Sequence, residues 1–375
     1  MKIAAIADVH VGNHMLDNPL GGPLIAGVNS RGHAVLRVLE QAVRQAVEEG
    51  ATKLFVAGDL MDSTRPTPQL LRGVQLALDV AEIDVHLLVG NHEQGSTEPG
   101  DHALTPLSPV VHRIYEHATA SGDFAFVPYA DCKSGLELLE AGLEGIDLGG
   151  DGVLVTHLGV RDGRTPPWLK NAHDCVDVSD LHALMGRCGA AVAILGNWHD
   201  HRYWRFDDGC EVIQCGALVP VGWSNPSTVA ELTSLEEDPY GSLVIVDTAL
   251  PRGSRVSRVV LPGPRFVQVG SVAKAQEAAR IASERGVDLY VEVKASVDAK
   301  GEVLREVERL ELAGSRVTVD QADVRKRVNA AALSARDQQT VERALAEYIE
   351  RVPTEGADPA AVLRRCREYL AAAQG

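Results

Sequence analysis

The sequence holds no run of about 18 apolar residues, so it predicts no membrane span and no membrane partner. Its start, Lys2-Ile3-Ala4-Ala5-Ile6-Ala7, lacks the basic opening and long apolar core of a signal peptide, and a cytoplasmic protein is the expectation. Cysteine is sparse: six residues, at 132, 175, 188, 210, 215 and 366, with no C-x-x-C pair. That spacing argues against a zinc ribbon or a dithiol redox motif and predicts reduced, mostly buried thiols. Positive charge is the next shortage, with 36 basic against 52 acidic residues and a formal net charge of −16. Residues 320–375 carry nine of each sign, so the whole excess lies in residues 1–319. An acidic body is a poor non-specific binder of DNA, because Lys and Arg on phosphates supply most of that affinity. Either metals and a partner supply the attraction, or the substrate is small. Internal repeats and low-complexity tracts are also missing.

What is present is a globular mix, 45% hydrophobic and 23% charged, over 375 residues. That length predicts two domains or one domain with appendages. Short apolar strands alternate with helices or loops up to about Leu261. The predicted strands are Lys2–Ala7, Lys53–Ala57, Val85–Val89, Phe124–Pro128, Val153–Thr156, Ala191–Leu195, His201–Phe206, Glu211–Cys215, Leu243–Asp247 and Val256–Leu261. The early ones are continuous apolar runs, as strands covered on both faces are. The later ones lie close together around turns such as Asp207-Asp208-Gly209, which reads as antiparallel hairpins. A helix is predicted from Gly32 to Glu49, with Val35, Leu36, Leu39, Val43 and Val47 on its apolar face and Gly50 as its stop. The fold class is therefore a mixed α/β sandwich flanked by helices. Leu261-Pro262-Gly263-Pro264 marks a domain edge. After it come strand, helix, strand, helix, strand up to Val319, a small α/β appendage. The tail from 320 to 375 reads as helical, with amphipathic stretches at Thr340–Val352 and Pro359–Ala373. The predicted division is 1–262, 263–319 and 320–375.

Five short clusters carry chemistry. They are Asp8-Val9-His10, Gly58-Asp59-Leu60-Met61-Asp62, Gly90-Asn91-His92-Glu93, His157, and Gly196-Asn197-Trp198-His199-Asp200-His201. Each follows its own apolar strand, at the edge where open α/β sheets bind ligands. Any one of them alone is ordinary turn chemistry. Chance does not supply five in this order. Carboxylates and imidazoles without thiolate suit Mn²⁺, Fe²⁺ or Zn²⁺ in a catalytic rather than a structural site. In Asp8-Val9-His10 and His199-Asp200-His201 the outer residues stand two apart, so at an extended strand end they point the same way. A carboxylate between two ions holds them at roughly 3.5–4 Å, a spacing that activates water and clamps a phosphoryl group.

The ordered set over residues 1 to about 261 resembles the calcineurin-like metallophosphoesterase superfamily. The resemblance implies two divalent ions, manganese first, with iron, magnesium or zinc as alternatives. It implies that Asp8, His10, Asp59 and His201 hold one ion. It gives Asp59, Asn91, His157 and His199 to the other, with Asp59 as the bridge. His92 would stand over the substrate, not on a metal, stabilising phosphoryl charge or protonating the leaving oxygen. The nucleophile would be a metal-activated hydroxide. The family usually closes with G-H-x-H, whereas Asn197-Trp198 intervenes here after Gly196. The H-x-H is intact, so the ligands stay and only the loop shape is in question; Trp198 reads as a packed or rim residue, with stacking on a base as the alternative.

Within the superfamily, Asp62 is followed by Ser63-Thr64 rather than the Arg-Gly of the Ser/Thr protein phosphatases. The segments Ala7–Gly12, Asn29-Ser30-Arg31 and Gly58–Pro68 resemble the SbcD type, the nuclease subunit of the bacterial SbcCD DNA-repair complex and its phage counterparts. That resemblance implies a DNA exonuclease, with endonuclease activity as an addition, serving repair or recombination as a homodimer with an SbcC-type ABC ATPase. The appendage would cap the core and the tail would dock on the ATPase. Arg161, Arg164, Lys170, Arg202 and Arg205 are candidate phosphate contacts. The competing expectation is a stand-alone phosphodiesterase or phosphatase on nucleotides or other small phosphoesters.

Overall fold

The apolar runs at the strand positions are buried on both sides, and that fixes the layering. In the first strand, Lys2–Ile6, Ile3 and Ala5 face one way and Ala4 and Ile6 the other, and all four are fully buried. Ile3 and Ala5 join Phe55, Phe126, Val153, Val155, Val192, Ile194, Val244 and Val246 in one core. Ala4 and Ile6 join Leu54, Val56 and the inner faces of two helices in another. The structure, a computed structural model, describes residues 1–12, 24–80, 82–96, 98–131, 134–223, 226–234, 238–296, 298–310, 312–319, 358 and 360–365.

Two six-stranded sheets make the sandwich. The first runs Val256–Val260, Ser242–Asp247, Lys2–Ile6, Lys53–Val56, Asp84–Leu88, Arg113–Tyr115. Its last four strands are mutually parallel and its first two antiparallel. The second runs Arg202–Arg205, Glu211–Gln214, Ala190–Leu195, Gly152–Thr156, Phe124–Val127, Thr119–Ser121, with its four central strands parallel. Helices α1 (Ser30–Glu48) and α2 (Pro68–Leu78) cover the outer face of the first sheet. Helices α3 (Gly135–Gly142) and α4 (Val178–Cys188) cover that of the second. The mixed α/β fold expected from the pattern is the fold observed.

Each strand predicted up to Leu261 forms, with its ends within one residue. The helix predicted over 32–49 begins earlier, at Ser30, because the Asn29 side chain accepts from the Gly32 N–H and caps it. Val47, assigned to its apolar face, is 39% exposed, while Val38, Ala42 and Ala46 are buried instead. The parallel pair Gly159–Arg161 and Cys175–Asp177 was not legible, being three residues per strand. Cys175, Cys188, Cys210 and Cys215 are free and buried, as thiols without a C-x-x-C partner should be.

The chain divides into two compact units, Met1–Val293 with Leu304–Arg316, and Lys294–Val303 with Val317–Gly375. In the first, the segment after the Leu261–Pro264 punctuation continues with strand Arg265–Val269, a helix over Val272–Arg285, and a strand from Leu289 parallel to Arg265–Val269. A fully buried ion pair, Arg265 with Asp238, fastens this segment to the core. Arg31 of α1 lies over the Phe266 ring at 4.6 Å, and Phe266 stacks on Tyr290. In the second unit the described residues 360–365 are helical. The predicted helix Thr340–Val352 lies outside the described residues, as does the rest of Pro359–Ala373.

Candidate metal centre

Because the central strands of each sheet are parallel, their C-terminal ends share an edge, and the five clusters stand there. The loops that follow Lys2–Ile6 and Lys53–Val56 are zipped together by backbone bonds: Asp8 N–H to Gly58 O (3.1 Å), His10 N–H to Asp59 O (2.9 Å) and Val11 N–H to Leu60 O (2.9 Å). Asp8, His10 and Asp59 on these loops, and Asn197 in the closing motif, adopt φ values of 51°, 49°, 52° and 80°. Among the described non-glycine residues only Ala26 shares this left-handed backbone. Such residues cost on the order of 1–3 kcal/mol each and persist where the surroundings over-determine them.

Two glycines make room for the ligands. A Cβ on Gly58, which itself sits at φ 91°, would stand 2.1 Å from His157 Nδ1. One on Gly90 would stand 2.1 Å from Asp59 Oδ1. These contacts are why the two motifs begin with glycine.

At this edge three groups of side chains bring ligand atoms within 4.8 Å of one another: Asp8 with His10 and His199, Asp8 with Asp59 and His157, and His10 with Asp59 and His92. His10 Nε2 faces His199 Nε2 at 3.2 Å. His157 Nε2 lies 3.3 Å from Asp59 Oδ2 and 3.0 Å from Asn91 Oδ1. Asp59 thus touches both sides of the cluster. Asp8 Oδ2 is buried and has no hydrogen-bond partner among the described residues. An orphaned carboxylate oxygen beside facing imidazole nitrogens is the donor set a pair of divalent cations requires.

The resemblance gives His199 to the side of His157 and His201 to the side of His10; here His199 stands with His10. His201 joins none of these groups among the described residues. Its Nδ1 meets Cys215 O at 3.1 Å, which fixes the ring. Burial and nearby Arg258 push its pKa down to about 4, so the ring is neutral as a metal ligand must be.

Burial works against charge on both Asp59 and His157, but each stabilises the other, so Asp59 is held below its ordinary range and His157 above it. Asp8, more buried than helped, is raised to about 6. His92 differs from all of these. It is 42% exposed, and its hydrogen bonds to Asp62 raise its pKa to about 9, so it presents a proton at neutral pH.

Supporting residues were harder to read from sequence. Glu93 is fully buried and its carboxylate accepts from Met61 N–H and Gly90 N–H, each at 2.8 Å, tying two motif loops together. Burial and the adjacent Asp59 raise it to about 8. Asp62 lies 3.2 Å from His10 Nδ1. Asn197, the residue that lengthens the closing motif, donates its N–H to Asp8 Oδ1 at 3.0 Å and its side chain to Asp174. Trp198 is buried, pressed against Gly159. The candidate phosphate contacts are largely engaged: Arg161 pairs with Asp177, Arg164 with Asp162, and Arg202 with both Asp200 and Asp162.

Several solved structures are similar in outline. The protein TT1561 of Thermus thermophilus is 14% identical, the match covering 69% of this chain and 98% of that one at a TM-score of 0.40. A dimetal phosphatase from Danio rerio is 16% identical over 59% of this chain and 89% of that one, with a TM-score of 0.34. A putative 5'-nucleotidase from Staphylococcus aureus is 14% identical over 75% and 58%, with a TM-score of 0.38. Residues 1–214, more than half of the chain, match the sequence profile of the calcineurin-like phosphoesterases, and the chain belongs to that family.

Proposed function

We propose that this phosphoesterase is a metal-dependent DNA nuclease of the SbcD type, acting as an exonuclease with an SbcC-type ABC ATPase partner. Family membership supplies the coarser statement, hydrolysis of a phosphoester at two divalent ions. One observation carries the finer reading. The three segments that resemble the nuclease type, Ala7–Gly12, Asn29–Arg31 and Gly58–Pro68, converge on one centre. Val11 pairs with Met61, and Gly12 O lies 3.1 Å from where a Cβ on Gly32 would stand, directly after the Asn29 cap. The charge of Asp62 reaches the buried Arg31 guanidinium.

In this reading Asp8, His10, Asp59, Asn91, His157, His199 and His201 would hold two divalent ions. Once bound, the ions would lower the pKa of water and neutralise phosphoryl charge. The chain's own work is orientation and proton delivery. Glu93 and Asp62 hold the motif loops in register, and exposed His92 gives its proton to the leaving oxygen. Manganese is the ion proposed, and a homodimer the assembly.

A second reading, hydrolysis of nucleotides or other small phosphoesters, is favoured by the acidic body and by the ion-paired Arg161, Arg164 and Arg202. Manganese-dependent digestion of end-labelled duplex DNA, with and without the ATPase, separates the two. The nuclease reading expects DNA cut faster than a chromogenic small diester, with steep loss as salt rises. Fast turnover of nucleotides with intact duplex ends would reject it.

A further inference from the structure

At the opposite edge of the first sheet, where its parallel strands begin, a second cluster of metal-binding side chains has no part in the chemistry above. Asp84 opens the strand Asp84–Leu88, and His86 follows two residues later on the same face. His112 lies just before the neighbouring strand Arg113–Tyr115. Ligand atoms of Asp84, His86 and His112 lie within 4.8 Å of one another.

The three side chains are prepared unequally. His86 is 6% exposed, with Phe55 edge-on to its ring and Tyr115 stacked on it. Its Nδ1 meets the Tyr115 hydroxyl at 3.1 Å. Its Nε2 is buried and has no hydrogen-bond partner among the described residues. In the tautomer whose Nδ1–H donates to the hydroxyl, Nε2 keeps a bare lone pair. Burial, then the charges of Lys53 and His112, favour this neutral ring, the form that binds metal. Asp84 divides its oxygens. Lys53 Nζ holds Oδ2 at 3.1 Å, while Oδ1 lies 3.7 Å from His112 Nδ1. The His86 and His112 rings are 4.7 Å apart between centroids. Asp84 and His112 are each about half exposed, so an ion reaches the cluster without opening the sandwich.

We propose that Asp84, His86 and His112 form a further divalent-cation site, distinct from the catalytic pair and selective for a transition metal such as zinc. Two imidazoles and one carboxylate with a solvent position open are a zinc-type ligand set, and imidazole disfavours magnesium or calcium. The ion fastens the strand Asp84–Leu88 to its neighbour at one end, and the other end of that strand leads to Asn91 and His92.

The test uses the full chain, equilibrated with excess Zn²⁺, freed of unbound metal and assayed for zinc per chain. His112→Ala and Asp84→Asn change half-exposed positions, so both variants fold. Each is expected to hold one zinc fewer than the parent, to lose the zinc-dependent rise in Tm, and to keep the manganese-dependent rate on a small diester. His117→Ala, at an exposed histidine outside the cluster, is expected to match the parent. Equal zinc content in the parent and both cluster variants overturns the site. So does a loss of the catalytic metals together with the extra ion, because the cluster would then be part of the catalytic centre.

Discussion

Gly90→Ala isolates what the motif glycines do. The added Cβ would stand 2.1 Å from Asp59 Oδ1 and 2.4 Å from the Asp59 backbone nitrogen. Ordinary contact begins near 3.4 Å, so something must move by about 1.3 Å. A side-chain swing cannot supply this, because one obstacle is backbone and the carboxylate already accepts the His92 N–H at 3.0 Å. Gly90 is itself held by Glu93 through a 2.8 Å bond. The strand end or the Asp59 carboxylate must therefore shift. Overpacking costs about 1–3 kcal/mol, within the stability of a folded domain, so the variant should fold. A displacement near 1 Å at a reacting centre costs about 10²-fold in rate, and here it also disturbs both ions. The assay pairs metal content with the manganese-dependent rate on a chromogenic diester. Gly163→Ala, where nothing lies within 4 Å of the new Cβ, is the control. A Gly90→Ala enzyme with full metal and a rate within about threefold of the parent would refute the argument, since the overpacking principle would then have no purchase at this site.

Asp59→Asn should lose both ions and all measurable activity, seen as a fall in metal content of the purified protein. His92→Ala should keep its metal and lose about 10²–10⁴-fold in rate; loss of metal would make it a ligand instead. Asp238→Ala leaves Arg265 buried without its carboxylate and should cost about 3–5 kcal/mol in denaturant unfolding, with the metal centre unchanged in the protein that remains folded. Truncation after Val319 should leave small-diester hydrolysis and metal content intact while ending co-purification with the ATPase; retained binding would reject the docking role proposed for the tail.

Most of the scaffold was legible because its strands are short, apolar and buried on both faces, a pattern with few other readings. Helices α2, α3 and α4 were harder, since burial of a few residues per turn leaves a weaker trace than a run such as Ala190–Leu195. The candidate ligand residues were visible as types at strand ends. How they would divide between two ions is not written in the H-x-H spacing: His199 Nε2 stands 3.2 Å from His10 Nε2, while His201 Nδ1 meets the Cys215 carbonyl. Glu93 stood inside a motif, yet its task is to accept the Gly90 N–H of its own loop and the Met61 N–H of a loop distant in sequence, and only the folded chain discloses the second. Of the candidate phosphate contacts, Arg161 and Arg202 are ion-paired with Asp177 and Asp162, partners distant in sequence that only the fold brings near.

The left-handed backbone at Asp8, His10, Asp59 and Asn197 narrows the alphabet available to these positions. Each must supply a polar contact and also tolerate a conformation that β-branched and bulky residues avoid. Asp, Asn and His are among the few side chains that meet both demands. Glutamate carries the same charge as aspartate, but its extra methylene would push the carboxylate past its partners. Chemical equivalence and substitutability therefore part company at this centre. Related sequences that keep this loop geometry should vary at positions 8, 10, 59 and 197 only within a small polar set, even where the rest of the chain has diverged beyond recognition.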